Sequence, residues 1–111
     1  MPEILSTPQQ VDAFLQTHGA AALYFSSPDC NVCAALKPKV FELFAHDFSA
    51  MAVAEVDCTI APEVAAQLGV LAAPTIVVYF DRAEWLRKVR NVSLPQLADE
   101  LQRPYSVYFS E

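Results

Sequence analysis

The chain is short of basic residues. Seven Lys and Arg stand against thirteen Asp and Glu, a net charge of −6. A surface of that sign argues against nucleic acid and anionic membranes as partners. No window of eighteen apolar residues occurs, so nothing in the sequence reads as a membrane span. The first ten residues, Met-Pro-Glu-Ile-Leu-Ser-Thr-Pro-Gln-Gln, carry no basic residue and no long apolar run. They do not look like a secretory signal, and the cytoplasm is the expected compartment. Linkers, repeats and low-complexity tracts are also missing. Cysteines number three, too few for a disulfide scaffold, and a structural zinc site would need four ligands. The remaining metal-binding side chains, Cys58, His18 and His46, are scattered, so no metal is expected.

What is present is a core. Of 111 residues, 54% are hydrophobic and 18% charged, which fits one globular domain rather than a disordered chain. Thr7 and Pro8 open a helix, as N-cap and first-turn proline, with Val11, Phe14 and Leu15 on one face and Gly19 at its end. Ala20 to Phe25 reads as a strand buried on both faces. A second helix runs from Cys30 to His46, with Pro38 inside it as a kink. Met51 to Val56 is a strand, and Ala61-Pro62-Glu63 starts a short helix that Gly69 ends. Thr75 to Phe80 is an apolar strand. A turn at Asp81-Arg82-Ala83 leads to an edge strand from Glu84 to Val89, on which Trp85 covers the core from one side. Ser93 caps a last helix from Leu94 to Leu101, which Pro104 is expected to stop. A short strand at Glu3 to Leu5 is a further expectation. The order defines an α/β domain, a central sheet of four or five strands with helices on both faces. Beyond Pro104, Tyr105, Val107 and Phe109 alternate with Ser106, Tyr108 and Ser110 as in a strand. Residues 104–111 therefore read as a C-terminal extension. It either packs on its own domain or adds to a partner's sheet edge in a homodimer.

The chemistry centres on Cys30-Asn31-Val32-Cys33. At a helix start this spacing brings two sulfurs to one end of the helix, where unpaired N–H groups and the helix dipole favour a thiolate. Thiolate is the nucleophile in disulfide exchange. Asp29 works in the opposite sense, and no His or Arg flanks the pair, so a moderately reactive thiol is expected. The alternatives are two small core residues or half of a metal site. Cys58 reads either as a third redox thiol or as incidental. Lys37, one turn past Cys33, reads as a solvated residue with a weak positive field.

These residues resemble the thioredoxin family over most of the chain. Cys30 to Cys33 follows a buried strand and opens a helix, with Pro38 five residues on. Val56-Asp57, Pro62, Ala65, Leu68-Gly69-Val70 and Ala73-Pro74-Thr75 are similar to the family's central region. The resemblance implies a three-layer fold with a mixed sheet and a cis proline at Pro74 facing the dithiol. It implies a redox-active Cys30–Cys33 disulfide with no other cofactor, and Cys30 and Cys33 as catalytic residues. It also implies Ala73, Pro74 and Asp29 as the substrate-binding surface. Protein disulfides would be the substrates and a disulfide reductase the electron donor. Departures accompany the likeness. Asp29 replaces a tryptophan, and Asn31-Val32 replaces Gly-Pro. The buried Asp and Lys found beneath the dithiol in many thioredoxins map to Tyr24 and Val53. The expected function is thiol–disulfide oxidoreductase; the alternative is a protein-binding module of the same fold with a regulatory or vestigial dithiol.

Overall fold

The computed structural model describes residues 2–110. Its elements are β1 (Glu3–Ile4), α1 (Pro8–Thr17), β2 (Ala20–Ser26), α2 (Asn31–Asp47), β3 (Ala52–Asp57), α3 (Pro62–Gln67), β4 (Thr75–Phe80), β5 (Ala83–Val89) and α4 (Leu94–Tyr108). The strands form one mixed sheet in the order β1-β3-β2-β4-β5. β1 and β2 lie parallel to β3, while β4 runs antiparallel to β2 and β5 antiparallel to β4.

Strand alternation builds the two cores. Every residue of β2 is buried, because the strand is central and both its faces are covered. Ala21, Leu23 and Phe25 point to one face, where they pack with Val11, Phe14 and Val64 from α1 and α3. Ala20, Ala22 and Tyr24 point to the other, against Val40, Phe44, Leu97 and Leu101 of α2 and α4. The layers are therefore α1 and α3, the sheet, then α2 and α4.

Local chemistry sets the helix ends. Thr7 caps α1 by accepting from the Gln10 N–H at 3.1 Å, with Pro8 following at the first position, where its missing N–H costs nothing. α2 continues through Pro38. The proline and Ala34, whose carbonyl loses its usual donor, both lie on the exposed side, so water can serve that oxygen. Gly69 takes φ 67° after α3, a left-handed conformation that glycine adopts freely.

The C-terminal segment departs from the sequence expectation. Pro104 does not stop the last helix, and residues 104–108 are helical, not a strand. Leu94, Leu97, Ala98, Leu101, Tyr105 and Tyr108 all pack into the α2–α4 core, at spacings of three, four or seven that mark one helix face. The Tyr105 ring meets Phe48 edge to face at 5.1 Å, and its hydroxyl accepts from the Ala50 N–H at 3.0 Å. Tyr108 donates to Asp81 at 2.8 Å. These tertiary contacts outweigh the one helical bond that Pro104 forfeits.

Candidate functional site

β2 delivers the loop Ser27–Asp29 to the carboxyl edge of the sheet, and α2 starts immediately after it. Cys30 is the N-cap of α2. Its Sγ, in place of the usual hydroxyl or carboxylate oxygen, accepts from the Cys33 N–H at 3.1 Å. Cys30 and Cys33 form a disulfide, with their Cα atoms 5.2 Å apart. Cys30 is half-buried, whereas Cys33 is only 2% exposed. The outer sulfur is thus the one an incoming molecule can reach.

The loop before β4 faces this pair. Cys30 Sγ lies 3.8 Å from the Ala73 carbonyl oxygen. The Ala73–Pro74 peptide bond is cis. Pro74 is buried, and its carbonyl oxygen accepts from the Arg90 N–H at 2.7 Å. Thr75 Oγ1 donates to the Ala72 carbonyl at 2.6 Å. The loop is therefore held from behind, by β4 and the end of β5, and its Ala73 edge is left toward the sulfurs. Arg87 secures the loop's other end by donating to the carbonyls of Leu68 and Gly69, at 2.7 and 3.1 Å. Asp29 is exposed directly ahead of Cys30.

Beneath Cys33 the structure adds a residue to the sequence reading. Tyr24 does occupy the buried position below the dithiol, at 1% exposure. Its hydroxyl donates to the Cys33 carbonyl at 2.8 Å. Burial, together with the charge of Glu55, pushes this phenol up to about 12. Val53, however, is not its neighbour across the ladder: Val53 pairs with Ala22, and Glu55 pairs with Tyr24. Glu55, which sequence reasoning passed over, lies beside the dithiol. Its carboxylate accepts from Ser26 Oγ at 2.9 Å and from Lys37 Nζ at 3.2 Å. Lys37 is accordingly an ion-pair partner rather than a free solvated cation. Its counter-charge lies eighteen residues away on another strand. The only signal for Glu55 was a lone acid breaking the apolar run of a core-facing strand.

Cys58 is a free thiol. It lies at the end of β3, with its N–H donating to the Ser26 carbonyl at 2.8 Å. Burial, and secondarily Asp57, pushes this thiol up, the opposite of activation. His18 and His46 sit at the C-terminal ends of α1 and α2. Among the described residues no group of three or more His, Cys, Asp or Glu is placed to hold a metal ion. None of the described helices is long and apolar enough to cross a membrane.

A disulfide at a helix start, set against the loop before an antiparallel strand, is the working part of a thiol–disulfide oxidoreductase. The thioredoxin family model matches residues 3–103, and the chain belongs to the thioredoxin family. It is 29% identical over 101 residues to the thioredoxin-like protein YdfQ of Bacillus subtilis (strain 168), spanning 91% of this chain and 89% of that one. A thioredoxin of Fasciola hepatica superposes with a TM-score of 0.82 at 25% identity, covering 91% of this chain and 97% of its own. A mutant thioredoxin of Halobacterium salinarum NRC-1 superposes at 0.80 with 22% identity, over 99% and 92% of the two chains. That last likeness is one of fold.

Proposed function

We propose that the protein exchanges disulfides with protein substrates, with Cys30 as nucleophile and Cys33 as resolving thiol. The observation that carries the reading is the placement of Cys30 Sγ. It accepts the Cys33 N–H at the positive end of α2 and stands 3.8 Å from the Ala73 carbonyl. In the reduced protein a thiolate on Cys30 gains from that N–H and from the helix dipole. It attacks one sulfur of a substrate disulfide, and the other sulfur leaves as a thiolate. Cys33 then attacks Cys30 Sγ, the mixed disulfide breaks, and the substrate departs with both electrons while Cys30–Cys33 closes. No cofactor is required, because the two sulfurs hold the electron pair. A disulfide reductase returns it, and a reducing compartment such as the cytoplasm suits this direction.

Ala73, Pro74 and Asp29 frame the substrate side. An extended peptide lying along the Ala73 backbone would bring its sulfur to Cys30 in the manner of strand addition. Val32, 59% exposed, lies between the cysteines, and Leu71, 96% exposed, lies two residues before Ala73. Such apolar surface around a reactive sulfur suits a protein segment better than a small polar disulfide.

The test is a Cys33→Ser variant, which keeps the nucleophile and removes the resolving thiol. Mixed disulfides with proteins should accumulate on Cys30, and the wild type should reduce insulin in the presence of dithiothreitol. Absence of both removes the oxidoreductase reading. Stable capture of a partner that is equally strong in a Cys30→Ser/Cys33→Ser variant would support the binding-module alternative instead.

A further inference from the structure

We propose that Arg90 is a specificity-determining residue of the dithiol site, favouring protein substrates that carry carboxylates beside the disulfide. The inference rests on the disulfide-exchange reading above and names the substrate chemistry within it. Among the described residues, three other than glycine adopt left-handed backbone: Asp81, Arg82 and Arg90. The first two form the turn between β4 and β5, which itself requires that conformation. Arg90, at φ 63°, lies outside that turn, directly after β5. Its backbone task is to donate its N–H to the Pro74 carbonyl at 2.7 Å. Glycine would perform it without the steric cost of a Cβ. A strained residue kept against the loop that faces a reactive sulfur points to a role for its side chain.

A short chain of contacts places Arg90 on the substrate side. Cys30 Sγ lies 3.8 Å from the Ala73 carbonyl oxygen, Pro74 follows Ala73, and Arg90 bonds to Pro74. Val89 pairs with Thr75, while Val92 packs into the α2–α4 core and Ser93 caps α4. The segment is thus pinned on both sides, and Arg90 between them is exposed. The other cations are committed or distant. Lys37, Arg87 and Lys88 are each in an ion pair, with Glu55, Glu84 and Glu100. Arg82 occupies the hairpin at the opposite end of β4, and Lys39 and Arg103 lie well along α2 and α4. Among the described residues Arg90 forms no ion pair.

The background charge makes this cation matter. The chain carries a net −6, and Asp29, exposed directly ahead of Cys30, adds a carboxylate next to the reacting sulfur. Both repel an acidic segment. An unpaired guanidinium beside the Pro74 loop reverses the sign on one side of the groove. It can bind a carboxylate through two parallel N–H bonds. A segment lying strand-like along Ala73 would present that carboxylate beside its own cysteine. The pairing acts on the encounter, before any covalent bond changes. The Cys30 thiolate then attacks the substrate sulfur and the second sulfur leaves as a thiolate, so Arg90 alters which substrates react and leaves the electron flow unchanged. An exposed ion pair is a modest effect, suited to selection among substrates that must also depart.

The experiment uses three cysteine peptides, each capped on sulfur by 2-nitro-5-thiobenzoate and flanked on both sides by Glu, by Gln or by Lys. Reduced protein attacks the peptide sulfur, Cys30 forms a mixed disulfide with the peptide, and the coloured thiobenzoate thiolate leaves. Stopped flow reads its release. The deciding quantity is the rate with the Glu peptide over that with the Gln peptide, because any change common to both cancels. Arg90→Asn removes the charge and supplies a residue that tolerates left-handed backbone. It should lower this ratio by about threefold and raise the corresponding Lys-over-Gln ratio. Arg90→Lys should keep most of the wild-type preference. An unchanged ratio in Arg90→Asn overturns the assignment. So does an equal fall in Arg90→Lys, which would trace the effect to the backbone and not to charge. A wild type that releases no thiolate from any of the three peptides overturns the disulfide-exchange reading instead. Should Arg90→Asn fail to fold, Arg90→Gly takes its place with the same expected fall, since glycine adopts this φ freely.

Discussion

The hydroxyl of Tyr24 donates to the carbonyl oxygen of Cys33 across 2.8 Å, tying the central strand to the first turn of the helix that carries both sulfurs. The ring is fixed as well, edge to face with Phe41 at a centroid distance of 5.8 Å. A buried tyrosine thus occupies the place where many family members keep a charged acid, and it supplies a hydrogen bond instead of a titrating group.

The Tyr24→Phe variant keeps the ring and deletes the bond. It should lower the unfolding free energy by about 1 kcal/mol, read from urea midpoints at unchanged slope. With the phenol pushed up to about 12, it does not titrate in the working range. The pH profile of disulfide exchange should therefore keep its shape in the variant. A lost titration step would mean that the Tyr24 hydroxyl takes part in proton transfer.

The fold and the dithiol were legible in sequence because both are local. Caps, Pro8, the apolar run from Ala20 to Phe25 and the Cys30–Cys33 spacing each act within one element. Two features were not legible, for different physical reasons. Which residue of β3 faces Tyr24 depends on inter-strand register, and a two-residue slip keeps the same face buried. Glu55 was therefore not singled out until the ladder was seen. The course of 104–108 depended on tertiary contacts. Its alternation of Tyr, Val and Phe fits a strand, while its continuation of the Leu94, Leu97, Leu101 stripe fits a helix. The proline favoured the wrong choice.

The helical tail separates residues that a strand would group together. In a strand, Tyr105 and Val107 would share a face. In α4, Tyr105 docks on Phe48 and Ala50 while Val107 is 64% exposed. Tyr105→Ala should cost about 2 kcal/mol, short of the full cost of deleting a buried aromatic ring because Tyr105 is part-exposed. Val107→Ser should stay within about 0.5 kcal/mol of wild type. Chemical denaturation of the two variants measures both. Equal losses would contradict the helical docking.

Acid should destabilise the protein partly through Asp57. Its carboxyl lies below the ordinary value of 3.8, chiefly because the Thr59 hydroxyl donates to it, with the N–H groups of Thr59 and Ile60 adding to the effect. A folded-state value below the unfolded one contributes stability above the unfolded value, lost as pH falls through the folded one. Thr59→Val removes the main donor and should move the acid limb of the stability curve to higher pH. The measurement is the thermal midpoint from about pH 2 to 6. Coincident acid limbs would remove Asp57 from the account.

The hairpin between β4 and β5 offers the opposite kind of change, a gain. Asp81 and Arg82 take φ 52° and 70°, and the pair Phe80–Ala83 flanks them directly. This is a two-residue turn with both residues left-handed, the arrangement that best matches strand twist and that glycine fills most easily. Asp81 is anchored there: its N–H donates to the Gly19 carbonyl at 2.6 Å, and its carboxylate accepts from Tyr108. Gly19 belongs to the same cluster, since a Cβ at that position would strike the Tyr108 hydroxyl. Arg82 is exposed and bears the left-handed conformation without comparable ties. Arg82→Gly relieves that strain at some cost in unfolded-state entropy. The net expectation is stabilisation of about 0.5 kcal/mol. Asp81→Gly relieves similar strain but releases Tyr108, so its thermal midpoint should fall. The opposite signs at adjacent positions are the test. If both glycines stabilise, the Asp81–Tyr108 bond contributes nothing to holding the end of α4.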